Sequence, residues 1–222
     1  GNLRKILAHV EKTAGETAYA KELSGNYVEA SRLYDMALQK SPRDIGALLG
    51  KARCARALGQ MDNAMSGYLQ ASKIAADKGD YQSQIAALTG IIEIRPNTFT
   101  AYASRGDVLY GMGQYDRAIE DFAKVVELDK RNLGAYYKLG NSFFKVSRFN
   151  EALRTYQAIE EINFADPKAQ ACLAKTYLAL GDKRNTKKAY DRFKELASYS
   201  TRLELKNDAD WQKVLSFLGE SE

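Results

Sequence analysis

The side chains able to do covalent or metal chemistry are few in this sequence. His9 is the only histidine, so no His-based dyad or triad can form with a serine or cysteine, and no His/Cys metal set exists. Cys54 and Cys172 are the only cysteines. Each falls inside a predicted helix, and both read as reduced, buried small side chains of a cytoplasmic protein. Glu160 and Glu161 form a carboxylate pair, but adjacent helix residues diverge by about 100°, so the pair reads as a solvated face. No glycine-rich phosphate loop opens a helix, because the glycines fall at turns or at helix crossings. The chain is therefore expected to be no enzyme and to use no cofactor or metal. What remains is recognition: rings that supply contact area and cations that supply charge-assisted hydrogen bonds.

Helices must position those groups. Residues 99–132 and 133–166 are two tandem copies of one unit. The first contains Tyr102-x2-Arg105-Gly106-x2-Leu109, Gly113, Tyr115 and Ala118-x3-Phe122; the second contains Tyr136-x2-Leu139-Gly140-x2-Phe143, Phe149 and Ala152-x3-Tyr156. Within a copy, Tyr102, Arg105, Leu109 and Met112 recur at helical spacing, as do Ala118, Ile119, Phe122 and Val125. Gly106 and Ala118 are small where two axes would cross, which lets the backbones approach while Phe122 fills the space beside them. Gly113-Gln114-Tyr115-Asp116 stops one helix and starts the next.

This spacing resembles the tetratricopeptide (TPR) family. The resemblance implies an all-α fold: a right-handed TPR superhelical solenoid of antiparallel helix pairs. Repeats are expected at 11–44, 45–78, 99–132, 133–166 and 167–200. Residues 1–10 read as an N-terminal helical extension. Between Gly79-Asp80-Tyr81 and Arg95-Pro96-Asn97 the register breaks, leaving an extra helix at 79–98 that is expected to bend the stack or form a distinct surface. In the repeat at 167–200, Thr186 stands where the family has alanine. A C-terminal capping helix at 201–222, opened by Asp208 or Asp210, should bury Trp211 on the last repeat.

Composition agrees with a globular protein: 222 residues, 45% apolar and 27% charged. Three prolines and the lack of alternating Val/Ile/Thr runs argue against a sheet. No apolar run approaches the length of a membrane span, and no signal peptide is seen. The first residue is Gly1, without Met, which reads as a piece of a larger protein or a processed form.

In TPR proteins the first helices of the repeats line a concave groove. By that resemblance the groove positions here include Lys12, Arg53 and Arg56, then Asp107 and Tyr110. Further along they are Tyr137, Asn141, Phe144 and Lys145, followed by Lys168 and Lys175. Their three- to four-residue spacing places them on one helical face, suited to an extended or helical peptide carrying acidic groups. The family's chaperone-type carboxylate clamp is not matched, since only Asn141 and Lys175 fit it. The expected role is thus a protein–protein interaction scaffold or adaptor that binds a partner segment in the groove, within an assembly, motility or signalling complex. The net charge of +5 is concentrated in Lys183, Arg184, Lys187, Lys188, Arg192 and Lys194. This patch opens two alternatives, a solvated outer face or an anionic surface such as nucleic acid. Self-association through an apolar end of the stack or through 79–98 is the third.

Overall fold

The computed structural model describes residues 17–220. Among them every regular element is a helix. His9 and Lys12, together with the expected extension at 1–10, lie outside the described residues. The chain forms two compact units that divide between Val108 and Leu109.

The first unit contains helical residues 17–23 (α1), α2 (Tyr27–Lys40), α3 (Ile45–Ala57), α4 (Met61–Lys78), α5 (Tyr81–Ile94) and most of α6 (Phe99–Gly111). Local chemistry sets these ends. Asn26, Asp44 and Asp80 cap α2, α3 and α5 by accepting backbone N–H bonds from Glu29, Ala47 and Ser83. Gly79 ends α4 in the left-handed conformation. With 18 residues, α4 is the longest of these helices, and it packs against both α3 and α5. Leu48, Ala52, Tyr68, Leu88 and Ile91 form the core between them. Tyr34 of α2 lies over Gly50 of α3, and Tyr68 of α4 lies over Gly90 of α5; any Cβ at either glycine would collide with the ring.

The second unit begins within α6 and continues through α7 (Tyr115–Leu128), α8 (Leu133–Lys145), α9 (Phe149–Ile162), α10 (Pro167–Ala179) and α11 (Lys183–Leu196). It closes with the short α12 (Tyr199–Leu205) and α13 (Ala209–Leu218). Successive helices from α7 to α11 pack on one another, and α13 packs on α10. Asp166 caps α10 just before Pro167, and Asp208 caps α13. Trp211 is 2% exposed and sits edge-on to Phe193, with ring centroids 4.6 Å apart. Burying a ring of this size stabilises the fold by roughly 1.5–3 kcal/mol.

Several buried hydroxyls replace apolar side chains without being orphaned. Thr186 is fully buried and donates to the Asp182 carbonyl at 2.8 Å. Ser142, Thr155 and Thr176 bond in the same way to Lys138, Glu151 and Cys172. The threonine at 186 therefore fits the crossing, its polarity absorbed by its own helix.

Two substitutions test this packing. A Cβ at Gly140 would lie 2.5 Å from Tyr156 Cε1, so Gly140→Ala should cost about 1–2 kcal/mol net, despite its better helix propensity. At the turn where other repeats carry Gly25, Gly59, Gly113 or Gly181 with positive φ, the α8–α9 turn carries Ser147 at φ 60°. Ser147→Gly should relieve this left-handed strain and raise stability by about 0.5–1 kcal/mol. Urea unfolding measures both changes.

Candidate protein-interaction groove

The inner helices of the second unit bring together five of the positions singled out by the sequence, Lys145 among them. Tyr110 at the end of α6, Asn141 and Phe144 of α8, and Lys175 of α10 line a cleft of about 360 Å3, with Asp208 and Asp210 at its far end. A second cleft of about 400 Å3 adjoins it and shares Phe144, Lys145, Lys175 and Asp210. Lys145 borders both. The two form one continuous groove along α8, α10 and the start of α13.

The rings in the groove are held by their neighbours. Tyr110 packs edge-on to Tyr115 at 5.1 Å, and Phe144 edge-on to Phe149 at 5.2 Å. The Tyr156 hydroxyl donates to Asn141 Oδ1 at 2.6 Å. This bond uses the amide oxygen of Asn141, a residue that lines the cleft. Cys172 lines the wall, and burial pushes its thiol up to about 11, so it is an inert packing group. Burial likewise raises Cys54 to about 11. Both cysteines are free thiols, Cys54 buried and Cys172 partly so.

The charges of the groove are mostly satisfied within the chain. Lys175, its side chain only 15% exposed, donates to Asp208 at 2.8 Å. Desolvation works against its ammonium, but Cys172 and Asp208 more than offset it, and its pKa is raised. Burial also opposes the Asp208 carboxylate, yet Lys175 and the Trp211 backbone N–H hold its pKa below the usual value. Lys213 pairs with Asp210 at 2.8 Å. Among the described residues, Lys145 is the groove cation with no ion-pair partner.

The other groove positions named from the sequence among the described residues do not line these two clefts. Tyr137 is packed inward, its hydroxyl buried without a hydrogen bond, and burial with the nearby Asp166 carboxylate raises its pKa well above the ordinary value. Lys168 turns to Glu204 of α12 at 2.8 Å. In the first unit, Arg53 is bound by the carboxylate of Glu22, which also accepts from Tyr34 at 2.8 Å. Hydrogen bonds from Arg53 and Tyr34 outweigh the burial of Glu22 and lower its pKa. Arg56 pairs with Glu93 of α5, while Asp107 is exposed on α6. Both arginines named as groove positions from the sequence are thus ion-paired within the chain, with side chains 38% and 35% exposed.

Of the basic cluster on α11, Arg184 and Lys188 lie opposite its buried face of Thr186, Ala189, Tyr190 and Phe193, while Lys183, Lys187, Arg192 and Lys194 flank it. Lys183 sits over the Phe217 ring, Lys187 approaches Asp191, Arg192 donates to the Phe164 carbonyl, and Lys194 pairs with Glu220. Arg184 and Lys188 have no ion-pair partner among the described residues.

Sequence reasoning missed Tyr156, Cys172, Asp208, Asp210 and Lys213 as groove residues. Cys172 and Lys175 share one face of α10, a signal available from their spacing. The arrival of α13 beside α10 carried no such signal.

Packed helix pairs with an inner face of rings, amides and a cation define a helical-repeat scaffold for protein–protein interaction. A tetratricopeptide repeat model matches residues 23–90 and a TPR repeat model residues 106–147, and the chain is a tetratricopeptide-repeat protein. Solved structures share the fold at low identity. A crystal structure of MamA is 18% identical with a TM-score of 0.54, covering 84% of this chain and 96% of that one. Another of MamA is 17% identical with a TM-score of 0.53, covering 90% and 97%. YrrB, described as a TPR protein with an unusual peptide-binding site, is 16% identical with a TM-score of 0.55, covering 87% and 90%. No curated protein matches the chain in sequence. Among the described residues no helix is long and apolar enough to cross a membrane, and no cluster of side chains could hold a metal ion.

The Lys175–Asp208 pair predicts an acid-sensitive joint between α10 and α13. A carboxylate whose pKa is lowered on folding contributes stability that is present above the ordinary value of about 4 and is lost as pH falls through the folded one. Asp208→Asn, which keeps a capping side chain, should cost about 1 kcal/mol at pH 7. Urea titrations should show this difference shrinking below pH 4.

Proposed function

We propose that this protein is an adaptor that holds a partner's peptide segment in the second unit's groove. The observation that carries the reading is the continuous cleft along α8 and α10, where fixed rings, the Asn141 amide and the unpaired Lys145 converge. The rings supply apolar area, Asn141 supplies donors to a peptide carbonyl or carboxylate, and Lys145 attracts an acidic residue. Lys175 is neutralised by Asp208, so Lys145 replaces it as the cationic anchor.

Recognition without chemistry explains the rigidity of the walls. Because Phe144 is braced by Phe149 and Asn141 by Tyr156, little side-chain entropy is lost on binding. A few such anchors carry most of the affinity of an interface. The binding of a peptide by YrrB, a protein of the same fold, is consistent with this use of the scaffold.

The test is affinity capture with the wild-type chain beside the Phe144→Ala/Lys145→Glu variant, followed by a direct Kd for each captured partner. At least tenfold weaker binding to the variant is expected. Equal binding by the two chains would overturn the groove reading.

A further inference from the structure

A second recessed surface lies under α12, away from the groove. α12 is seven residues long and buries none of them. Tyr199 is 82% exposed and Leu203 54% exposed. They are four residues apart and therefore share one helix face. That face forms the lip of a cleft of about 490 Å3 whose floor is Tyr190 and Phe193 of α11 with Trp211 and Leu215 of α13. The floor is rigid, since Trp211 packs against Phe193 and Tyr190 at centroid distances of 4.6 and 5.8 Å.

The rim has a definite charge. Lys194, Arg202 and Lys206 border the cleft, and among the described residues Glu220 is its only lining carboxylate. Glu220 already pairs with Lys194 at 3.1 Å. Arg202 donates to the Lys194 backbone carbonyl at 3.0 Å, which holds α12 beside the end of α11. Neither Arg202 nor Lys206 has an ion-pair partner among the described residues. An apolar basin of this volume, bordered by two cations lacking a carboxylate, is complementary to a bulky apolar side chain flanked by acidic residues. Glu220 on Lys194 displays the contact that an incoming carboxylate would make at the other two cations.

The cleft and the groove use different faces of α13. Trp211 and Leu215 line the cleft, whereas Asp210 and Lys213 line the groove. We propose that the α11–α12–α13 cleft is a second docking site, for an acidic partner segment that inserts one large apolar side chain between Tyr199 and Trp211 and sets its carboxylates against Arg202 and Lys206.

A randomised peptide library displayed on phage, selected on the full chain carrying Phe144→Ala/Lys145→Glu so that the groove is disabled, tests this directly. Recovered peptides should pair an aromatic residue or leucine with neighbouring Asp or Glu. Their affinity should fall at least tenfold with Leu203→Glu and, separately, with Arg202→Glu/Lys206→Glu. All three positions are exposed, and circular dichroism checks that the variants stay folded. Failure to recover a binder, recovery of peptides without net negative charge, or binding unchanged by either variant would overturn the proposal. So would a wild-type dimer that Leu203→Glu dissociates, because the occupant would then be a second copy. The outcome is independent of the groove, whose residues are already altered in the selected chain.

Discussion

A tyrosine seated against a helix that has no side chain at that point is the interaction on which the rest depends. Tyr34 on Gly50, Tyr68 on Gly90 and Tyr156 on Gly140 each join two helices at a distance that no Cβ would permit. The ring gains dispersion contacts on both faces, and the close approach brings the inner helices near enough to share a surface. Because Tyr34 and Tyr156 cross the interface, their hydroxyls emerge beside the inner helix and must find a partner there.

What meets those hydroxyls decides the character of each unit. In the first unit Glu22 accepts from Tyr34 and, as an anion, recruits Arg53. The network closes on itself, and Arg56 is similarly taken up by Glu93. In the second unit a neutral amide, Asn141, accepts from Tyr156. No countercharge is drawn in there, and Asn141 and Lys145 both line the cleft. The same packing device thus ends in an ion-pair network in one unit and in a neutral amide beside the cleft in the other.

The C-terminal helices extend this contrast. Through Asp208, α13 neutralises Lys175 and shapes one end of the groove, and its opposite face supplies Trp211 to the floor of another cleft. α12 contributes little burial of its own. It is held by a salt bridge from Lys168 to Glu204 and by Arg202 on a backbone carbonyl. Such a helix costs little to displace.

The sequence by itself determined the helices, their turns and their family. The 3.6-residue periodicity, the glycine stops and the Asp or Asn caps are local features, and they act through neighbours within a few residues. It also marked the inner-face positions, because residues three or four apart share a side of a helix wherever that helix is placed. Only the tertiary structure decided which of those positions are available. Arg53, Arg56, Lys168 and Lys175 look alike in sequence, yet each meets a carboxylate 31 to 37 residues away in the chain, brought close by packing. Tyr137 and Phe144 are both aromatic residues of α8, but one has its hydroxyl buried and the other lines the cleft. Ion pairing and burial depend on distances between helices, and no periodicity within one helix encodes them.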